Sequence, residues 1–170
     1  PLKNAQVDGG GVGRHRTGEW LKTCHDNGVT FMNIGPVRDD IAGFANAAWL
    51  TPRPNTDTAV MLGLAHTLLV EGLHDQAFLD RYATGFDAFK PYLLGESDGV
   101  AKSAEWAAGV SGLDADDIRA LARRMAAGRT MLTAAWSLQR GDHGEQPYWM
   151  LITLAAMLGQ IGLPGGGFGF

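Results

Sequence analysis

Between Tyr148 and Ile161 the chain reads YWMLITLAAMLGQI, fourteen residues without a charged side chain. Such a run is too long for an ordinary strand and shorter than the roughly 18 apolar residues of a membrane span, so it reads as a helix buried on most of its surface. Leu151, Leu154, Ala155 and Leu158 share the spacing of one helical face and are its expected inward side. The flanks narrow the fold further. Upstream, the apolar run Met131 to Trp136 ends in the polar knot Ser137-Leu138-Gln139-Arg140-Gly141-Asp142-His143-Gly144-Glu145; downstream stands the stop Gly162-Leu163-Pro164-Gly165-Gly166-Gly167. Strand, polar loop, buried helix and glycine turn follow in the order of an α/β protein. In open α/β sheets a ligand lies outside the carboxyl ends of the strands, where this knot would sit.

A second step of the same kind lies near the start. Thr17 is placed to cap a helix over 18–26, Asn27-Gly28 to end it, and 29–34 reads as a short buried strand halted by Gly35-Pro36. A weak helix through 41–48 and a short strand at 49–51 follow. Pro52-Arg53-Pro54 holds the chain extended, and Asn55, Thr56 or Asp57 caps a long helix over 58–70, apolar on most sides. Shorter helices are expected near Asp75, around Phe86 to Leu93, and over 103–108. The clearest amphipathic helix begins at Asp114, with Ile118, Leu121, Ala122 and Met125 inward. The turn-rich stretch 95–100 reads as a solvated face. The expected fold class is therefore α/β: three-layer and Rossmann-like, with a mostly parallel sheet containing 29–34 and 131–136 and helices on both faces. The expected domain is one, over 1–170, with extended ends at 1–15 and 163–170.

Composition removes several functional classes. Fourteen basic and eighteen acidic residues are intermixed, giving a formal charge of -4 and no basic stripe for nucleic acid. A lone cysteine, Cys24, forms no internal disulfide and builds no cysteine-based metal site. No stretch qualifies as a membrane span, and residues 1–11 lack the apolar core of an export signal. Pro1 opens without a methionine and Phe170 stops within a glycine-aromatic loop, so the chain reads as part of something longer.

The five histidines are scattered without a short metal-binding spacing, and G-x-S-x-G is absent, which argues against zinc and serine-nucleophile chemistry. His66 reads as a core or boundary residue. The glycine cluster 8–13 follows no strand, and Arg14 stands where G-x-G-x-x-G requires glycine, so it reads as a flexible loop. Three strand-end clusters remain: Ile34 to Arg38, Asn55 to Asp57, and Trp136 to Gly144. They combine guanidinium groups, a carboxylate, and backbone N–H groups at helix starts, a set suited to phosphate, purine and carbonyl groups. The same residues also fit plainer roles, Asp57 as a helix cap and Arg38 and Arg140 as surface positions.

The stretches PRPNTDTAVMLGLAHTLL, FLDRYATGF, PYLLGESDG, EWAAGVSGL, IRALARRMAAGRTML and WSLQRGDHGEQPYWMLITLAAMLGQIGLPGGGFGF, with PLKN at the start, carry a resemblance that covers essentially the whole chain. It resembles an internal part of the molybdenum oxidoreductases that reduce dimethyl sulfoxide, trimethylamine N-oxide or biotin sulfoxide. The resemblance implies a nucleotide-binding-like α/β domain that helps hold a bis(molybdopterin guanine dinucleotide) molybdenum cofactor. It implies a guanosine contact at Ile34, Gly35, Pro36 and Arg38, and a guanine-recognising turn at Asn55, Thr56 and Asp57. A strand-end loop approaching pterin and phosphate is implied at Trp136, Ser137, Gln139, Arg140, His143 and Gly144. Gly35 departs from the family's aspartate, and 8–13 departs as well. The family's molybdenum-ligating serine lies upstream of the matching region, so no catalytic or metal-ligating residue is assigned. By resemblance the partners are the remaining domains of the same enzyme, an electron donor such as a cytochrome, and a small S-oxide or N-oxide, in the periplasm. Two competing readings are an isolated purine-nucleotide or phosphate-binding module and a helical interaction domain.

Overall fold

The computed structural model describes residues 16–169. The readings of PLKN and of the glycine cluster 8–13 lie outside the described residues. The chain divides into two compact units at Pro54/Asn55.

The first unit contains helix α1 (Thr17–Asp26) and strands β1 (Met32–Ile34) and β2 (Ala48–Leu50). Arg16 is the N-cap of α1 and Thr17 its first residue. Gly28, at φ 86°, takes the left-handed conformation that lets the chain turn out of α1 after the C-cap Asn27. The two strands pair in parallel with Asn33 opposite Trp49. Between them the expected helix over 41–48 gives way to two single 3-10 turns, Arg38–Asp40 and Gly43–Ala45, the second ended by Asn46 at φ 43°.

The second unit is built around α2 (Asp57–Val70). Its Ala59, Val60, Leu62, Leu64, Ala65 and Leu68 are all buried, as an all-round apolar helix requires. Helices α3 (Gln76–Tyr82), α4 (Phe86–Leu94), α5 (Ala104–Ser111), α6 (Ala115–Ala126) and α7 (Glu145–Met157) follow it, and α2 packs against α5, α6 and α7. A β-carbon at Gly63 would stand 2.6 Å from that of Ala107, so glycine permits the α2–α5 approach. Side-chain caps start three of these helices. Asp75 accepts from the Phe78 amide at 2.8 Å, Ser103 from Trp106 at 3.3 Å, and Asp114 from Asp116 at 2.7 Å. The inward stripe of α6 is the expected Ile118, Leu121, Ala122 and Met125. Helix α7 starts three residues before the expected position and ends four earlier, and Leu151, Leu154, Ala155 and Leu158 are buried.

Strands β3 (Met131–Thr133) and β4 (Gly167–Gly169) flank α7 and pair in parallel, Met131 opposite Gly167. Gln160 ties the two ends of this β-α-β step together. Its side-chain oxygen accepts from the Thr130 amide at 2.7 Å, and its side-chain nitrogen donates to the Gly128 carbonyl at 2.9 Å.

The expectation of a three-layer, Rossmann-like sheet is overturned. The described residues form mostly helix, and the two apolar runs 29–34 and 131–136 supply three-residue strands to two separate sheets of two strands each. A short apolar run fixes an extended segment but not its partner, and here each strand pairs locally, while the core is formed by helix packing around α2. Among the described residues no helix is long and apolar enough to cross a membrane.

Candidate functional site

In the first unit, the loop after β1 carries Gly35, Pro36 and Arg38, and three contacts shape it. Asn33, 9% exposed, donates from its side-chain amide to the carbonyls of Val37 at 3.1 Å and Arg38 at 3.2 Å. The Trp49 indole N–H donates to the Gly35 carbonyl at 2.9 Å, and the Gly35 amide donates to Leu50 at 3.0 Å. The Arg38 guanidinium carbon stands 5.9 Å from the centre of the Trp49 ring, within cation–π range. Ile34 is 39% exposed at the end of β1. A β-carbon on Gly35 would meet nothing within 4 Å, so crowding does not require glycine there.

In the second unit, two of the sequence-derived clusters meet. Asn55 adopts φ 65°, in the left-handed region that asparagine tolerates, and its side-chain oxygen lies 2.9 Å from where a β-carbon on Gly141 would stand. The turn Asn55-Thr56-Asp57 at the start of α2 therefore abuts the loop between β3 and α7. Asp57 opens α2 and is half-buried; loss of water raises its carboxyl above the ordinary aspartate range, partly offset by a hydrogen bond from its own backbone amide. Among the described residues no cation pairs with it, so this carboxylate stands desolvated at a helix start.

The loop leaves β3 through Ala134 and Ala135 and forms a 3-10 turn over Trp136–Arg140. The Leu138 amide donates to Ala135 at 3.2 Å, the Gly141 amide to Leu138 at 3.3 Å, and the Gly144 amide to Gly141 at 3.2 Å. Trp136, Ser137, Gln139, Arg140 and His143 are exposed, and Trp136 is 64% so. His143 takes φ 53° and stands 3.9 Å from carboxylate oxygens of Asp142 and Glu145, beyond hydrogen-bonding distance. Gly144 is buried as the N-cap of α7, and a β-carbon there would collide with the carbonyl group of Gln139. Glycine at 144 thus lets α7 start directly beneath the loop.

Three residues that shape these loops escaped the sequence reading: Asn33, Trp49 and Tyr148. Tyr148 donates from its hydroxyl to the Ala135 carbonyl at 2.6 Å. An amide inside the apolar run 29–34 was the visible signal for Asn33; the other two act on backbone distant in sequence and leave no local signal.

Among the described residues no three His, Cys, Asp or Glu side chains gather as a metal site. The first unit offers the Arg38 guanidinium and loop N–H groups; the second offers the Asn55 amide, the Arg140 guanidinium and loop N–H groups, with the desolvated carboxylate of Asp57. In each unit such donors suit phosphate, carbonyl and purine groups.

The family model described as molybdopterin oxidoreductase matches residues 14–170. The dimethyl sulfoxide/trimethylamine N-oxide reductase of Cereibacter sphaeroides is 53% identical over 99% of this chain and 20% of its own length. The biotin sulfoxide reductase of the same organism is 46% identical over 99% of this chain and 23% of its own. The chain therefore spans about a fifth of the length of these curated relatives. The fold is similar to part of the acetylene hydratase of Pelobacter acetylenicus, with a TM-score of 0.67 at 22% identity over 82% of this chain and 18% of that one.

Proposed function

Because the chain belongs to the molybdopterin oxidoreductase family, we propose that it supplies part of the surface holding a bis(molybdopterin guanine dinucleotide) molybdenum cofactor in an S-oxide or N-oxide reductase. The meeting of Asn55 with Gly141 is the observation that carries this reading, since it joins the turn at the start of α2 to the polar loop after β3. Asp57 would accept from the guanine N–H edge, a role for which a half-buried carboxylate without a cation is suited. Asn55 and Thr56 would complete that turn. Arg140 and Gln139 would donate to phosphate and pterin oxygens, with Ser137, Trp136, His143 and Gly144 forming the rest of the loop. In the first unit Ile34, Gly35, Pro36 and Arg38 would meet the guanosine end.

When bound, the cofactor supplies the two-electron chemistry of oxide reduction. What these residues contribute is binding and orientation. By the same resemblance we place the enzyme in the periplasm, with a cytochrome as electron donor. The test is the molybdenum and guanine nucleotide released from the complete purified enzyme. About stoichiometric amounts of both are expected; guanine nucleotide without molybdenum would instead favour a plain nucleotide-binding module.

A further inference from the structure

We infer that Tyr148 is a positioning residue for the 136–144 loop; this rests on the reading that the loop holds pterin and phosphate. Ala135 is the last residue before the 3-10 turn, and Tyr148 lies in the first turn of α7, just after the loop. The phenol therefore bonds the chain's exit from the loop to its entry, 13 residues back. Closing a loop at its base lowers the conformational freedom of what lies between.

The geometry at Ala135 shows what this bond adds. The carbonyl oxygen accepts from the Leu138 amide at 3.2 Å and from the Tyr148 hydroxyl at 2.6 Å. The first bond is internal to the turn and fixes its shape. The second ties the turn to the helix and fixes its orientation. Beyond the turn's own bonds, the exposed side chains of Ser137, Gln139 and Arg140 have no hydrogen bond within the described residues to hold them, so their placement depends on the base of the loop. Burial raises the phenol pKa, which keeps the hydroxyl a donor throughout the neutral range.

Tyr148→Phe removes the hydroxyl and leaves the ring in place. The Ala135 carbonyl keeps its Leu138 donor, so no acceptor is orphaned and the core is untouched. The experiment compares the complete enzyme as wild type, Y148F and R140A. It measures guanine nucleotide released over time after dilution, and hydrogen exchange of the 136–144 segment against the segments over α2 and α6. Y148F is expected to release nucleotide about threefold to tenfold faster, the effect of one ordinary hydrogen bond, with faster exchange confined to 136–144. Wild-type release by Y148F while R140A loses nucleotide would overturn the role of Tyr148 alone. Faster exchange spread over α2 and α6 would also overturn it, by showing a general structural role. Wild-type release by both variants would overturn the loop's assignment to the cofactor.

Discussion

The side-chain oxygen of Asn55 and the α-carbon of Gly141 are so close that a β-carbon on Gly141 would stand 2.9 Å from that oxygen. The obstacle is the end of a side chain, so Gly141→Ala is expected to displace the Asn55 amide at a stability cost within about 1 kcal/mol. Guanine nucleotide content should fall more than stability does. Denaturant titration and nucleotide content, measured on the same variant enzyme, check this; unchanged content would show that the junction of turn and loop is irrelevant to the ligand.

Gly144 presents a harder obstacle. A β-carbon there meets the backbone of Gln139, which has no rotamer to yield. Gly144→Ala should therefore cost about 2–3 kcal/mol by forcing the loop off the start of α7. A melting temperature equal to wild type would contradict that packing.

Leu154 is 1% exposed on the inward side of α7, which packs on α2. Leu154→Asp would bury an unpaired carboxylate, and a loss above about 4 kcal/mol is expected, enough to abolish folding. A soluble variant with a cooperative melt would overturn the assignment.

Asp57 gives a prediction with a pH signature. Its folded pKa is raised by burial, so its ionisation opposes folding: relative stability is full below the ordinary aspartate pKa and is lost as pH rises through the folded value. Asp57→Asn should thus raise the melting temperature of cofactor-free enzyme at neutral pH, with the difference closing toward acid, while lowering guanine nucleotide content. Melting curves across pH check the sign. A variant that melts lower than wild type at neutral pH would mean that the carboxylate stabilises the fold.

The helices were legible because their signals are local. The helices expected near Asp75, from 103 and from Asp114 start there in the structure, where Asp75, Ser103 and Asp114 prove to be their caps, and the stripe of α6 is the one its spacing predicts. The sheets were not. β3 pairs with Gly167–Gly169, a glycine-rich segment with almost no strand signal, and nothing in 29–34 distinguishes a small local pair from one strand of a wide sheet. The stretch 95–100 is the solvated turn its composition suggests, exposed over 96–100, and its Asp98 also accepts from Lys102 at 2.7 Å, a lysine 3% exposed against Tyr92 and Trp106. Residue type singled out Asn55, Asp57 and the 136–144 knot, but not that Asn55 meets Gly141. The contacts that shape the loops, from Asn33 and Trp49 to the 35–38 loop of the first unit and from Tyr148 to the 136–144 loop of the second, required the folded chain.

Arg140 bears the central claim. Its guanidinium stands on the exposed loop, and among the described residues no carboxylate pairs with it. If it donates to cofactor oxygens in a dry site, Arg140→Ala should cost about 2–4 kcal/mol of cofactor binding. Lysine restores the charge but not the forked donors, so Arg140→Lys should recover only part. The measurement is molybdenum and guanine nucleotide per protein, with S-oxide reduction, in wild-type, R140A and R140K complete enzyme. The expected result is large loss in R140A and partial recovery in R140K, with unchanged melting of the cofactor-free proteins. Full cofactor and full turnover in a normally folded R140A enzyme would contradict the placement of this loop at the cofactor.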